Sequence, residues 1–272
     1  MKVAAALTAA AQRLAATSDT PRFDAELLMS HALGVERQEL LQSHLDAQAP
    51  AAFEPLLARR EAGEPVAYIE GRRGFWTIEL EVGPGVLVPR PDSETLLEAA
   101  LAHFGKRAPK RILDLGTGPG TLLLAALDQW PKAYGLGIDA SEEALAYARR
   151  NAARLGLAAR AELRTGDWAE GVTETFDLIL CNPPYVETTA NLPRDVAEWE
   201  PHRALFAGPD GLDDYRRIAP MLPPLLSENG IACIEIGAGQ ADAVAALFER
   251  QGLRTARRQD LGGHVRCIAV SP

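Results

Sequence analysis

Over the first sixty or so residues the apolar positions recur at helical spacing. Val3, Leu7, Ala10, Ala11 and Leu14 mark one face of a first helix. Pro21 opens a second through Phe23, Leu27, Leu28 and Leu33, and Gly34 ends it. Shorter amphipathic segments follow around Leu40, Leu41 and Leu45 and around Phe53, Leu56 and Leu57, the last stopped by Gly63. This pattern predicts a small N-terminal helical bundle over residues 1–62. From Val66 the period falls to two: Val66–Tyr68 and Phe75–Val82 alternate like half-buried strands, and Gly83-Pro84-Gly85 turns the chain. A β-hairpin linker is expected over 63–90. From about Lys110 strands alternate with helices. Strands are predicted at 111–115, 134–138, 161–165, 176–181 and 231–236, with a final pair near 253–258 and 264–270 made antiparallel by Gly262-Gly263. Helices are predicted near 119–130, 141–154, 213–227 and 240–251. The fold class is therefore α/β: a doubly wound, seven-stranded, mostly parallel sheet with an antiparallel last strand, occupying residues 91–272.

Composition narrows the function. The 272 residues are 47% hydrophobic and 24% charged, enough for a buried core. The net charge of −9 is the wrong sign for a chain held on nucleic acid by phosphate neutralisation, so no direct nucleic-acid partner is expected. Cys181, Cys233 and Cys267 all lie in apolar strand-like runs, which fits reduced core thiols in a cytoplasmic protein and no metal site. Lys2 and Val3–Ala11 faintly resemble a signal peptide, but Thr8 interrupts the run and Gln12-Arg13 follow, so a helix is expected instead. No apolar run reaches the ~18 residues that span a bilayer. A monomer without membrane contact is the expectation.

Two strand ends carry candidate chemistry. Arg111–Leu115 leads into Gly116-Thr117-Gly118-Pro119-Gly120, a glycine turn opening a helix, in which Pro119 suits the first helical turn. Asp139 ends the next strand, about 20 residues on, where a carboxylate accepts ribose hydroxyls. The third strand ends at Asp167-Trp168, an acid and an aromatic that can bracket an adenine. The Gly-x-Gly-x-Gly spacing departs from the nicotinamide pattern, and no phosphate-loop Lys follows. A nucleotide without pyrophosphate is favoured: S-adenosyl-L-methionine, held at its amino-acid end by backbone amides. Beyond the run Phe176–Leu180 stands Cys181-Asn182-Pro183-Pro184-Tyr185. The Asn182 side-chain oxygen and the Pro183 carbonyl are two acceptors on one spot, walled by Tyr185, and suit a flat NH2-bearing group. A strand-closing Asn-Pro turn, with Tyr185 merely packing, is the alternative.

Asp114-Leu115-Gly116-Thr117-Gly118 together with Asn182-Pro183-Pro184-Tyr185 resembles the class I S-adenosylmethionine-dependent methyltransferases of planar nitrogens. More of the chain is similar to the HemK/PrmC-type glutamine methyltransferases of peptide-chain release factors. The similarity runs through Arg22–Leu28, Gly63–Ile69, Val88–Glu94 and Pro201–Arg216, so it covers nearly the full length. The resemblance implies a Rossmann-like fold and a helical domain that helps hold the protein substrate. It also implies methylation of the side-chain N5 of the glutamine in the Gly-Gly-Gln loop of class-1 release factors. Two positions depart from the pattern. Pro119 replaces the usual Thr or Ser, and Ile236 stands where a His is common in a Glu-His-Gly segment, so Glu235 and Gln240 receive no role.

The candidate site is therefore Asn182, Pro183 and Tyr185 for catalysis, with Pro184 and Arg90 added for substrate. Gly116, Thr117, Gly118, Pro119, Gly120, Asp139, Asp167, Trp168 and Asn182 are the cofactor candidates. Arg90, in a rigid two-proline segment, is a candidate lid residue or part of a plain connector, and Asp92 or Ser93 is the expected helix N-cap. A DNA or RNA amino-methyltransferase shares the two motifs but lacks support from the acidic charge. A non-catalytic cofactor-binding scaffold would leave the Asn182–Tyr185 segment unexplained.

Overall fold

The computed structural model describes residues 1–272 and divides into two compact units, Met1–Arg72 with Leu192–Glu200, and Arg73–Asn191 with Pro201–Pro272. The segment 192–200 thus leaves the second unit and joins the first, which no linear pattern announces. No helix is long and apolar enough to cross a membrane.

The first unit is built from the helices Val3–Leu14, Pro21–Leu33 and Phe53–Glu61, packed on Leu7, Leu14, Leu28, Met29, Leu40 and Leu57. Gly34 closes the second helix in a left-handed conformation, φ 70°, and its N–H is donated back to the His31 carbonyl. Val66–Tyr68 is not strand. Val66–Glu70 is a single helical segment, because Pro65 starts it, the Tyr68 and Ile69 N–H groups donate to the Pro65 carbonyl, and Gly71 ends it at φ 72°. Its buried residues Ala67, Tyr68 and Ile69 are consecutive, which a half-buried strand would not allow. Arg60, 5% exposed, pairs with Asp24 at 2.8 Å and Asp195 at 3.4 Å. This buried ion pair fastens the returning helix Arg194–Trp199 within the unit.

A short hairpin, β1 (Arg72–Phe75) and β2 (Ile78–Glu81), opens at the boundary and precedes the sheet of the second unit. The sheet consists of β3 (Arg111–Leu115), β4 (Tyr134–Asp139), β5 (Ala161–Thr165), β6 (Phe176–Cys181), β7 (Leu226–Glu235), β8 (Arg254–Gln259) and β9 (Val265–Ser271). Their order is β5-β4-β3-β6-β7-β9-β8. The first five strands run parallel, and β9 is antiparallel to both of its neighbours, β7 and β8. The doubly wound sheet and the reversed last strand follow the alternation read from sequence. The helix expected over 213–227 is broken: Asp213–Ile218 gives way to a tight turn at Ala219–Met221 and a short helical turn at Leu222–Leu225. Pro220, Pro223 and Pro224 each remove a backbone donor that a continuous helix needs.

After β3 the chain runs outward to β4 and β5 and then returns to place β6 on the other side of β3. Leu115 is thereby paired with Cys181, so the turn after one strand and the Asn after the other share one end of the sheet. This is the switch point at which open α/β sheets bind ligands. One buried side chain braces it. Asn151 donates to the carbonyls of Glu81 at 3.0 Å and Pro119 at 2.9 Å, and accepts from the Glu81 N–H at 2.7 Å. Asn151 is fully buried, so Asn151→Ala would strand three backbone groups. We expect it to lower unfolding stability by about 2–4 kcal/mol in urea titrations. A loss within experimental error would show that these bonds are replaceable by water.

Candidate active site at the switch point

A cavity of about 260 Å³ opens over the carboxyl ends of β3, β4, β5 and β6. Of the residues picked from sequence, Gly116, Gly118, Asp139, Asp167, Trp168, Asn182 and Pro184 line it. A smaller adjoining cavity of about 50 Å³ is bordered by Arg90, Ser93, Thr117, Pro119 and again Asn182. Gly120, Pro183 and Tyr185 border neither. Gly120 instead starts the helix Thr121–Gln129 at φ 90°, where a Cβ would come 2.7 Å from Leu124. Sequence reasoning gave no site role to Gly85–Leu87, Pro201, Arg203, Asp214 or Arg217, which complete the larger cavity's wall. The Pro201–Arg216 stretch was visible as a family segment, but nothing in it pointed toward the cavity.

The glycine turn differs in one respect from expectation. Its N–H groups are not open donors. Gly116 and Thr117 donate to the Ile138 carbonyl at 2.9 and 3.0 Å, Gly118 to Asp139 Oδ2 at 2.8 Å, and Gly120 to the Thr117 carbonyl at 2.9 Å. Pro119 has none. With its N–H groups taken, the turn gives a ligand a close backbone approach at Gly116 and Gly118 rather than open donors. At Gly116, φ 71°, an added Cβ would sit 3.3 Å from the Trp168 ring. Trp168 itself has φ 49°, an uncommon backbone for an aromatic residue and a local strain of the kind stored at functional sites.

Asp139 takes one amide on each oxygen, from Gly118 and from Ser141, both at 2.8 Å, and keeps lone pairs for further donors. Asp167 is held by Arg217 at 2.5 Å. Burial raises the pKa of Asp214 while the Arg217 charge and the Trp168 indole oppose it.

Asn182 is anchored from the side. Its Nδ2 donates to Ser93 Oγ at 3.1 Å, which leaves Oδ1 as the accepting end. Ser93 makes no side-chain cap bond to its helix, Glu94–Phe104. Its hydroxyl serves Asn182 on one side and helps hold Glu235 ionised on the other. Glu235, left without a role by the sequence, is 1% exposed at the end of β7. Burial pushes its pKa to about 7, opposed by Ser93, the Arg266 charge and the Tyr185 hydroxyl, and reinforced by Asp92. Its sequence signals were its place at a strand's carboxyl end and in the family's Glu-His-Gly segment, which Ile236 interrupts.

Comparison with known proteins places the whole chain. Residues 5–71 match the PrmC N-terminal domain model, and residues 91–198 match the methyltransferase small domain model. The release factor glutamine methyltransferase of Caulobacter vibrioides is 45% identical over 271 residues, covering 97% of this chain and 94% of that protein. The protein of the same name from Rhodospirillum rubrum is 46% identical, over 92% of this chain and 78% of its own length. The chain belongs to the release factor glutamine methyltransferase family. The family resemblance read from the motifs is therefore borne out. A methyltransferase from Pyrococcus furiosus shares the fold at 18% identity, with a TM-score of 0.55 over 78% of this chain and 95% of that one.

A second buried carboxyl underlies the family's glycine turn. Asp114, 1% exposed, accepts from Thr117 Oγ1 at 2.6 Å and the Leu123 N–H at 3.1 Å through Oδ2, while Oδ1 has no partner. Burial raises its pKa from 3.8 to about 7 against those two bonds, and the Asp139 charge adds to the rise. Between these values the folded chain holds a proton that the unfolded chain has released. The Asp114 contribution to stability therefore falls as pH rises from about 4 to about 7 and levels off above. Asp114→Asn should remove on the order of 4 kcal/mol of decline over that range, leaving the parts due to Glu235 and Asp214. Urea unfolding at pH 4.5 and 7.5 measures it, and an undiminished decline in the variant would place the titration elsewhere.

Proposed function

We propose that this protein transfers the methyl group of S-adenosyl-L-methionine to the side-chain N5 of the glutamine in the Gly-Gly-Gln loop of class-1 peptide-chain release factors. The observation that carries this proposal is the Asn182 amide. Its Nδ2 donates to Ser93, which leaves its oxygen as the accepting end at the rim of the cavity where β3 and β6 meet. The release-factor substrate follows from family membership; N5 and the Gly-Gly-Gln setting are what the motif resemblance implies.

The residues present suit the cofactor. Asp139 has lone pairs for ribose hydroxyls, and the Gly116 and Gly118 carbonyls suit an ammonium group. Trp168 offers a face for a base, with Asp167 beside it. When bound, S-adenosylmethionine supplies a methyl group made electrophilic by its sulfonium. The chain's own contribution lies on the acceptor side. An amide nitrogen is a weak nucleophile because its lone pair is delocalised into the carbonyl. Asn182 Oδ1 and the Pro183 carbonyl would accept its two N–H bonds and fix its orientation. They also stabilise positive charge developing on that nitrogen. Once the methyl–nitrogen bond forms, the nitrogen is acidic enough to release its proton to water, so no protein general base is needed in this scheme. Tyr185 and Pro184 bound the slot, Arg90 borders the adjoining cavity, and the helical domain helps hold the protein substrate. The enzyme would act in the cytoplasm as a monomer.

Asp139→Ala should weaken cofactor binding by about 1.5–3 kcal/mol, the worth of bonds to a charged group. Calorimetry on the folded variant measures this, and an unchanged affinity would remove Asp139 from the site. Asn182→Ala should leave cofactor affinity nearly intact and slow transfer at least a hundredfold, on the order of 3 kcal/mol. Single-turnover methyl transfer to a purified release factor, at saturating cofactor, is the assay. Transfer at the wild-type rate would overturn the assignment of Asn182, and label entering nucleic acid instead of protein would overturn the substrate.

A further inference from the structure

Tyr185 is held at three points. Its N–H donates to the Leu205 carbonyl at 3.2 Å, its carbonyl accepts from Gln240 Nε2 at 3.1 Å, and its hydroxyl meets Glu235 Oε1 at 3.4 Å. The Gln240 amide has one possible orientation, because its Oε1 accepts the Gly237 N–H at 2.9 Å. Its Nε2 must therefore face carbonyls, and it reaches those of Tyr185 and of Gly211, the second at 3.3 Å. The surrounding backbone is shaped to admit only this arrangement. A Cβ on Gly211 would lie 2.3 Å from the Tyr185 carbonyl oxygen and 2.7 Å from Gln240 Nε2. One on Gly237 would lie 2.9 Å from Gln240 Oε1 and 3.0 Å from the Tyr185 ring. Glu235 is buried with one oxygen, Oε2, taking no hydrogen bond, a cost that packing alone gives no reason to bear.

Pro183 and Pro184 have fixed φ, which leaves the segment from Asn182 to Tyr185 fewer ways to move independently. A displacement at Tyr185 is then delivered to the Pro183 carbonyl two residues away. We propose that Gln240 and Glu235 are positioning residues, which clamp Tyr185 at its carbonyl and its hydroxyl and so fix the Asn182–Pro183 acceptor pair. This rests on the amide-methylating function proposed above.

The test combines transfer rates with hydrogen exchange on the full-length enzyme. Gln240→Met removes every bond of the clamp's backbone arm, and Gln240→Glu keeps the acceptor for Gly237 but turns an acceptor toward two carbonyls. Both should lower kcat at least tenfold with cofactor affinity within about twofold of wild type. In an Asn182→Ala background, where only the Pro183 carbonyl is left to position, Gln240→Met should cost less than it does in wild type. Glu235→Gln, which still accepts the Tyr185 hydroxyl, should keep at least half of kcat. Glu235→Leu should lose about tenfold, and Glu235→Leu combined with Tyr185→Phe no more than either alone. Amide exchange at Tyr185 and Val186, whose N–H groups both donate to Leu205, should rise at least tenfold in Gln240→Met. Wild-type kcat in Gln240→Met, or fully multiplicative losses with Asn182→Ala, overturns the positioning role. Unchanged exchange at Tyr185 and Val186 overturns the clamp itself. Absence of transfer by the wild-type enzyme would instead refute the release-factor substrate, and exchange would still decide the clamp.

Discussion

The parallel pairing of β3 with β6 is the constraint on which the rest of this protein depends. The two strands are distant in sequence, and between them lie two further strands and their helices. Their register, Ile112 to Leu178 through Leu115 to Cys181, brings the glycine turn and Asn182 to the same edge. The pairing is possible because both runs are apolar on both faces. Ile112, Leu113, Leu115 and Leu178–Cys181 are all buried, as central parallel strands covered by helices must be. A slip of one residue would exchange the faces of Asp114 and its neighbours and put a carboxylate where helix packing needs a hydrocarbon. The chemistry of the site is thus set first by hydrophobic register.

Much of this was legible because the signals are local. Gly116, Gly118, Asp139, Trp168 and Asn182 sit at strand ends, and strand ends in a βα alternation fall on one rim whatever the details of packing. The two glycines and the reversed β9 follow from turn chemistry in the same way. What escaped was whatever depends on a partner far along the chain. The Val66–Glu70 helix was hidden because three consecutive buried residues, Ala67, Tyr68 and Ile69, fit neither simple period, and Pro65 as an N-cap was the only cue. The return of 192–200 to the first unit rests on Arg60 finding Asp195, a contact spanning 135 residues. Asn151, Glu235 and Gln240 lie in ordinary helix and strand contexts, and only the folded backbone shows which carbonyls they serve.

The glycine turn illustrates a subtler gap. Its sequence suggested donors, since glycine-rich turns expose amides at helix starts. In the folded chain those donors are spent on Ile138, Thr117 and Asp139. The turn is stitched to β4 and becomes a rigid surface of acceptors. A cationic ligand end suits such a surface, whereas a phosphate would meet carbonyl oxygens. Glycine spacing set the conformation, but whether the turn presents donors was decided by where the N–H groups went.

The direction of hydrogen bonding also explains why position 182 carries an amide. Ser93 has one hydroxyl proton, and it accepts from Asn182 Nδ2 while its own proton favours Glu235. An aspartate at 182 would offer the same accepting oxygen to a substrate but no donor to Ser93. Two carboxylates would then compete for one hydroxyl proton, and a second negative charge would lie near Glu235, whose ionised form is already disfavoured by burial. One of the two carboxyls would then take up a proton, and which oxygens donate and which accept would change with pH. A neutral side chain with one donor and one acceptor resolves both demands at once. The donor end is spent on the protein, and in the proposed function the acceptor end is kept for the substrate.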